Sequence, residues 1–447
     1  MSDIIKIKKG LNIKLKGKAE KTISELLIVD KYAVKPTDFN ELTPKLTVQE
    51  GEKVKAGTPL FFDKKNPQIL FTSPVSGTVT EINRGERRLL QEVVITADKE
   101  IVYELFEKGS ATDLSKEQIV ENLLKSGLWP FIKQRPYGII ANPSDMPKAI
   151  FISGFDTAPL APDFEFILEE QITAFQAGID ILKKLTNGTV HVAILPESKV
   201  LKAIKGVQIS QFKGVHPAGN VGVQIHHINP INKGDIVWTV NPQDVAIIGR
   251  LFLKGIYDAT KVVALTGSDV KNPKYFRTKV GAQIQSMTLN NVNQGDLRYI
   301  SGNVLTGTKI SEKGYLGFYD SQITIIPEGN HFEFLGWALP RLNKFSMSRT
   351  FFSWLFPNKE YQLDTNINGG ERAYVVTGEY EKVVPMDILP QQLIKAVMIG
   401  DIDKMENLGI YEVIEEDLAL CDFVCTSKIE VQATLRKGLN LMMKEMN

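Results

Sequence analysis

Apolar and polar positions alternate along the first hundred residues of the chain. Between Ile4 and Leu15 apolar residues alternate with lysines, which predicts a half-buried pair of strands broken at Gly10. From Val29 to Thr96 short apolar runs are separated by prolines and glycines, as in domains of short strands and tight turns. The pattern therefore predicts an all-β first domain.

The hydrophobic period changes near Lys116, where the spacing of apolar residues predicts a short helix. Strands are predicted at Lys148–Ser153 and Val190–Leu195, and the segment Phe166–Leu185 has the spacing of one long helix. A second short helix is expected at Ser198–Ile204. This alternation of strands and helices predicts an α/β layer.

The last part of the chain begins with mixed patterns and ends with a helical one. Arg298–Ser301 and Gln322–Ile326 have the composition of strands, and the apolar spacing is helical from Pro390 onward. Changes of period place boundaries near Tyr103, Tyr257 and Arg341. The predicted domains cover residues 1–102, 103–256, 257–340 and 341–447. No linker rich in glycine and serine separates them, so we expect them to pack on one another.

Composition narrows the classes of function. The 447 residues include 53 Lys+Arg and 52 Asp+Glu, a net charge of +1, which argues against a dedicated nucleic-acid binder. A hydrophobic fraction of 43% excludes wholesale disorder. The two cysteines exclude a disulfide scaffold and fit a reducing compartment. No apolar run approaches the ~20 residues of a membrane-spanning helix. The composition predicts a cytoplasmic, multidomain protein.

Two glycine-bearing segments of the first domain, Val48–Leu60 and Phe71–Val79, resemble the barrel-sandwich fold of biotinyl and lipoyl carrier domains. Carriers attach their prosthetic group to a lysine at the hairpin between such halves. Lys64 and Lys65 occupy this hairpin, but the residues that flank the lysine in carriers are absent. We therefore favour a docking module over a carrier and expect no covalent attachment.

Two loops of the α/β layer carry candidate ligand-binding residues. Loops at the carboxyl ends of strands are the usual ligand sites of α/β sheets, and the loop after Ser153 contains Asp156 and Thr157. These two residues have the alternative role of capping and shaping the loop. His216 and His226 lie in a glycine-rich stretch without a metal-binding motif. A structured loop is favoured there over a metal or proton-transfer cluster, so we expect no metal.

A basic and aromatic segment extends from Arg341 to Pro357. It favours an interface with a membrane surface or an apolar partner, and the alternative is a loop anchored in the core. The candidate interface residues are Arg341, Lys344, Arg349, Phe351, Phe352, Trp354 and Phe356. Cys421 and Cys425 are two ligands at most and are interpreted as buried structural thiols.

Several of these segments occur in this order in one family. The whole chain resembles the A subunit of the Na⁺-translocating NADH:quinone reductase. The stretches that carry the resemblance are Ile5–Ile13, Phe71–Val79, Gly154–Asp163, His216–His226 and Asn343–Phe351. The family implies an α+β multidomain fold: a barrel-sandwich hybrid, a Rossmann-like α/β layer, a β-grasp domain of the SLBB type and a C-terminal helical domain.

The resemblance also implies a role in a complex. It implies a peripheral location at the cytoplasmic face of the bacterial inner membrane, as one subunit of a six-subunit complex that oxidises NADH, reduces ubiquinone to ubiquinol and exports Na⁺. NADH, FAD, FMN, riboflavin, an iron–sulfur centre and ubiquinone would be used on other subunits. The expected partners are those subunits, especially the quinone-proximal membrane subunit, with ubiquinone as a further candidate.

The chain is also similar to the C subunit of the Rnf complex and the flavin-binding subunit of complex I, from which it departs at two places. The glycine-rich flavin loop of those relatives is replaced by Ser126–Ile132, where Trp129 and Phe131 would fill the flavin space and Pro130 has no N–H to offer. Their cluster cysteines are reduced to two. We therefore expect no tightly bound cofactor and no complete catalytic site in this chain alone.

The role expected from these observations is docking on the membrane subunits, together with a contribution to quinone access. Asp156, Thr157, His216 and His226 are the candidates for the quinone region. A flavin-dependent NADH dehydrogenase subunit of the Rnf or complex I type is the alternative function.

Overall fold

A computed structural model describes residues 4–25, 29–331, 333–336, 339 and 341–446 of the chain, without the side chain of Met446. The described residues form strands β1 (Ile5–Ile7), β2 (Glu20–Glu25), β3 (Lys31–Val34), β4 (Pro44–Leu46), β5 (Lys53–Val54), β6 (Pro59–Asp63), β7 (Leu70–Thr72), β8 (Gly77–Arg84), β9 (Leu90–Ala97), β10 (Lys133–Arg135), β11 (Ile139–Ile140), β12 (Ala149–Ser153), β13 (Thr189–Ile194), β14 (Gln208–Gly214), β15 (Val237–Thr239), β16 (Thr260–Thr266), β17 (Lys274–Lys279), β18 (Leu297–Ser301), β19 (Thr308–Ile310) and β20 (Gln322–Pro327). Their helices are α1 (Lys116–Lys125), α2 (Phe164–Leu168), α3 (Ile172–Lys184), α4 (Val221–Ile228), α5 (Pro242–Lys254), α6 (Gln285–Thr288), α7 (Pro390–Ile399), α8 (Ile402–Asn407), α9 (Ala419–Val424) and α10 (Val431–Met446).

The α/β layer is built on a seven-stranded sheet of order β1-β14-β13-β12-β15-β10-β11. Strands β12, β13 and β14 are mutually parallel, and β15 is parallel to β12 on its other side. The chain therefore moves outward from β12 to β14 and then returns to the opposite side of β12. Such a reversal opens a crevice at the carboxyl ends of the two strands that flank it, here β12 and β15.

Two helices of this layer pack unusually closely. A Cβ atom at Gly249 of α5 would lie 1.8 Å from the carbonyl oxygen of Ala174 in α3, so the backbones touch where no side chain fits. Helix α5 begins at Pro242, and the Asn241 side chain accepts a hydrogen bond from the Gln243 N–H. This fixed start of α5 positions one wall of the crevice.

The prediction of one continuous helix at 166–185 is wrong. The structure has α2 and α3 separated by a turn of 3-10 helix at Glu169–Gln171. Two arginines hold side chains of this turn, because Arg250 donates to Gln171 over 2.6 Å and Arg277 pairs with Glu170 over 2.6 Å. These tertiary bonds override the local helical pattern.

The predicted pair of strands between Ile4 and Leu15 is also wrong. Only β1 forms there, and it joins the seven-stranded sheet beside β14, while β2 joins the six-stranded sheet beside β17. After Gly10 the backbone bonds to remote loops instead of to a second strand: the N–H of Leu11 donates to the carbonyl of His216 over 2.8 Å, and the N–H of Lys16 donates to that of Tyr361 over 3.0 Å. The predicted helix at Ser198–Ile204 is reduced to a 3-10 turn at Leu201–Ala203.

The first domain is all-β, as predicted. Its strands form sheets of order β3-β9-β8-β5 and β4-β6-β7 around a core in which the rings of Phe61 and Phe71 stack with centroids 4.7 Å apart. A third region is built on a mixed sheet of order β19-β18-β20-β16-β17-β2. This sheet includes the strands predicted near Arg298 and Gln322.

The helices predicted after Pro390 are present as α7 to α10, and their buried side chains share one hydrophobic core with one face of the seven-stranded sheet. Among the described residues, none of the helices has the length and hydrophobicity that crossing a bilayer requires.

Candidate functional site

A cavity of about 180 Å³ lies in the crevice at the carboxyl ends of β12 and β15. Its walls come from distant parts of the chain: the two strand ends, the start of α4, the start of α5, the third sheet and the C-terminal helical region. The lining residues include Lys133, Arg135, Ser153, Phe155, Asp156, His216, Val240, Asn303, Leu305, Ile414 and Glu416. The cavity is thus a junction of three regions.

Two of the four predicted residues, Asp156 and His216, line this cavity, and Thr157 lies next to them. Thr157 lies beside His216, with its hydroxyl 3.2 Å from the ring Nδ1, and the same hydroxyl accepts the Gly219 N–H over 2.9 Å. The Asp156 carboxylate accepts the Ala158 N–H over 2.8 Å and faces the cavity. The loop-shaping role foreseen for Asp156 and Thr157 is therefore real, and it leaves Asp156 on the cavity wall.

The ionisable groups of this wall are shifted by their surroundings. Burial raises the pKa of the Asp156 carboxyl to about 6, because the charged form is poorly solvated there. Burial also lowers the pKa of His216 to about 4, so that its ring is neutral at pH 7. The wall therefore combines a carboxyl that titrates near physiological pH with an uncharged imidazole.

The opposite wall contains a buried ion pair. Arg135 Nη1 lies 2.6 Å from Asp417 Oδ2, with side chains 2% and 0% exposed, and the second Nη of Arg135 pairs with Glu416. Helix α4 approaches so closely that a Cβ on Gly222 would lie 2.3 Å from the Asp417 carboxylate. Arg135 comes from the α/β sheet and Asp417 from the C-terminal region, so this pair joins the two regions beside the cavity.

His226 lies outside the cavity lining. Its Nδ1 is 2.7 Å from a carboxylate oxygen of Glu412, and its Nε2 accepts the Asp387 N–H over 3.1 Å. These contacts attach α4 to the C-terminal region. Within the described ranges, no group of three or more His, Cys, Asp or Glu side chains is arranged to hold a metal ion.

Lys133, Arg135 and Glu416 are cavity residues that the sequence reasoning did not find. Arg135 and Asp417 are 282 positions apart, so nothing local in the sequence pairs them. The Lys133 ammonium lies 4.0 Å from the centre of the Tyr319 ring, so a loop of the third region packs against β10. The basic composition of β10 is the only local signal for Lys133 and Arg135.

The segment from Arg341 to Pro357 divides into an inner and an outer part. Phe351 and Ser353 are buried, whereas Phe352, Trp354 and Phe356 are 38%, 50% and 45% exposed. This alternation anchors the segment and turns three aromatic rings outward.

The cations of the segment are divided as well. Arg341 and Lys344 both pair with Glu333, over 3.1 and 2.7 Å. Arg349 instead lies over the ring of Trp354, at 5.3 Å from its centre. The two earlier cations therefore fix the segment to the protein, and the third belongs to its exposed side.

Trp129 and Phe131 are fully buried. The Trp129 indole N–H donates to the Ala141 carbonyl over 2.7 Å, and the Phe131 ring stacks on Phe318 at 4.4 Å. Cys421 and Cys425 are buried free thiols, as interpreted from the sequence.

Comparison with known proteins identifies the family of the chain. Residues 5–98 match the NqrA N-terminal barrel-sandwich hybrid domain, residues 114–257 the NqrA second alpha/beta domain, and residues 262–312 the NQRA C-terminal domain, an SLBB-type model. These matches support the predicted barrel-sandwich, α/β and SLBB-type parts of the fold.

Full-length relatives agree with these matches. The chain is 42% identical over 446 residues to the Na(+)-translocating NADH-quinone reductase A subunit of Yersinia pestis bv. Antiqua (strain Angola), covering 99% of this chain and 100% of that one. It is 40% identical over 446 residues to the corresponding protein of Pasteurella multocida (strain Pm70), with the same coverage. An NAD⁺-reducing [NiFe]-hydrogenase structure matches with 10% identity and a TM-score of 0.37 over 51% of this chain and 52% of that chain, too little for an argument.

Proposed function

The chain belongs to the family of the A subunit of the Na⁺-translocating NADH-quinone reductase, and on that premise we propose that it is a peripheral subunit that docks on the membrane subunits. The complex named by its relatives is an oxidoreductase and translocase, so the chain is part of an enzyme. We place it at the cytoplasmic face of the bacterial inner membrane, where it supports ubiquinone reduction coupled to Na⁺ export.

The observation that carries the docking proposal is the exposure of Phe352, Trp354 and Phe356. Aromatic rings are enriched where proteins bind partners, because each buries a large apolar area at little conformational cost. The three rings stand on one continuous segment whose inner side chains, Phe351 and Ser353, are anchored. An anchored segment with outward aromatic rings fits a permanent contact with the quinone-proximal membrane subunit.

Quinone access is assigned to the cavity beside Asp156. A quinone head group needs an apolar slot and hydrogen-bond donors for its carbonyl oxygens. Phe155, Val240 and Leu305 supply apolar wall, and Asp156, with its raised pKa, supplies a carboxyl able to hold a proton near neutral pH. His226 has no place in this proposal, since its ring nitrogens are engaged elsewhere.

We further propose that this chain binds no flavin or iron–sulfur cluster tightly and that the redox cofactors of the complex lie on other subunits. Trp129 and Phe131 fill the interior where flavin-binding relatives were expected to leave space. The two cysteines are buried as free thiols, with Tyr380 O–H 3.1 Å from the Cys425 sulfur.

The docking proposal is tested by replacing two exposed rings, Phe352→Ser and Trp354→Ser, in a complex purified through a tag on another subunit. We expect the amount of this chain that co-purifies to fall at least tenfold, because the rings leave the interface. The matched control, Leu89→Ser with Leu105→Ser, removes two side chains that are 57% and 84% exposed elsewhere and should co-purify normally. Normal assembly and normal quinone reduction by the Phe352/Trp354 variant would refute the proposal.

A further inference from the structure

The N-terminal lysines and the exposed aromatic segment share one face of the molecule. The side-chain amine of Lys14 donates to the carbonyl oxygen of Pro357. The Lys16 N–H donates to the Tyr361 carbonyl over 3.0 Å, and the Tyr361 N–H donates to the Lys14 carbonyl over 2.8 Å. The N-terminal segment is thus bonded to the chain that directly follows the aromatic residues, 343 positions away in the case of Lys14 and Pro357. The basic–aromatic face is defined as Lys14, Lys16, Arg349, Phe352, Trp354, Phe356 and Lys359.

The charge of this face is unbalanced. From Arg341 to Lys359 the sequence contains four cations and no Asp or Glu, and the segment from Leu11 to Ala19 adds three lysines and no acid. Arg341 and Lys344 are neutralised by Glu333. The four cations of the basic–aromatic face form no ion pair among the described residues. They are Lys14, Lys16, Arg349 and Lys359.

Two of these cations lie against the aromatic rings instead of against carboxylates. Arg349 lies over Trp354 at 5.3 Å, and the Lys359 ammonium is 6.0 Å from the centre of the Phe356 ring. Glu360 is the acid next to them in the sequence; it is exposed and forms no ion pair within the described ranges. Unpaired cations around a segment that docks on a membrane subunit lie at the level of the headgroup phosphates, which attract basic residues.

We propose that the basic–aromatic face binds the headgroups of anionic phospholipids. The inference rests on the proposed peripheral location: in the complex the aromatic rings contact the membrane subunit, and the cations around them reach the bilayer surface beside it. Lipid is favoured over an acidic protein patch for a geometric reason. The cations are spread over two segments and contact backbone carbonyls and aromatic rings, so they are not arranged to form paired, two-point hydrogen bonds with the carboxylates of a protein. Headgroup phosphates tolerate such an arrangement, since they move laterally to each charge.

The test measures binding of the full chain to vesicles in the absence of other subunits. Vesicles of phosphatidylcholine with roughly 30% phosphatidylglycerol are compared with phosphatidylcholine alone by co-sedimentation, because the headgroup charge is the only difference. Each basic residue near an anionic surface strengthens binding about fivefold, so the triple variant Lys16→Gln, Arg349→Gln, Lys359→Gln should bind about 100-fold more weakly. Raising the salt from about 0.05 to about 0.5 M should weaken binding of the unchanged chain by screening.

A matched triple variant, Lys53→Gln, Lys64→Gln, Lys99→Gln, removes the same charge from exposed lysines of the first domain and should bind as the unchanged chain does. Trp354 gives an independent readout, since its emission should shift to shorter wavelength on anionic vesicles, and the shift should be lost in the Trp354→Phe variant.

Equal binding to neutral and anionic vesicles, or equal binding by the two triple variants, would overturn the lipid assignment. So would poor assembly of the Lys16/Arg349/Lys359 variant in a chain that binds no vesicles, which would give these cations to the membrane subunit. Assembly of the Phe352/Trp354 variant is measured separately, so failure of the docking proposal and failure of the lipid proposal are distinguishable.

Discussion

The cavity beside Asp156 and the basic–aromatic face are built in opposite ways. The cavity collects residues from three regions of the chain and buries a charged pair, Arg135 with Asp417, at its wall. The basic–aromatic face is mainly one segment whose charges stand in solvent against aromatic rings. Substitutions at the cavity should therefore act on stability, and substitutions on the face should act on association.

The largest expected effect is on stability and concerns the buried ion pair at the cavity. Arg135→Met removes the cation from a buried pair and leaves the Asp417 carboxyl without its partner in the interior, which should lower the free energy of unfolding by about 3–5 kcal/mol. Urea unfolding of the full chain measures it. The double variant Arg135→Met, Asp417→Leu removes both charges and should recover much of the loss; equal instability of the single and double variants would contradict this reading.

The second prediction concerns pH and Asp156. Its pKa is raised to about 6 in the folded chain, so the native state holds the proton more tightly than the unfolded state does. The contribution of this group to stability is therefore present below pH ~4 and is lost as the pH rises through ~6, by about 3 kcal/mol.

Unfolding measured from pH 4 to pH 7 checks this prediction, because Asp156→Asn should flatten that part of the profile. Asp98→Asn, an exposed acid of the first domain, serves as the control and should leave the profile as it is. An unchanged slope in Asp156→Asn would show that this carboxyl is solvated like any surface acid.

The smallest expected effect on stability concerns the exposed rings of the basic–aromatic face. Phe352→Ser with Trp354→Ser should lower the free energy of unfolding by only about 1–2 kcal/mol, because both rings already stand 38% and 50% exposed and bury only part of their area. The same variant is expected to lose assembly. A stability loss of several kcal/mol would instead assign these rings to the core and explain poor assembly by unfolding.

Much of the fold is predictable from local pattern, because a buried strand such as β12 is a nearly continuous apolar run. The sequence predicts the loop after Ser153 as a ligand site because strand ends define the crevice of an α/β sheet. The predicted elements are wrong where contacts with distant parts of the chain determine the local structure. β1 pairs with β14 more than 200 positions away, and Arg250 bends the chain between α2 and α3.

The candidate site was predictable only in part for the same reason. Asp156 and His216 stand in loops whose composition marks them, whereas Arg135 meets Asp417 through tertiary packing alone. Exposure is a second limit, because the sequence of the aromatic segment does not tell which rings point outward. Phe351 is buried and Phe352 is exposed, although they are neighbours of one kind.

The docking claim is tested most directly by a photo-activated cross-linking residue placed at position 354 in the assembled complex. The account predicts a cross-link from this position to a membrane subunit, and none from the same residue placed at Leu105, which is even more solvent-exposed and lies in a different part of the chain. An assembled, active complex in which position 354 cross-links to no other subunit would contradict the claim that this segment docks the chain.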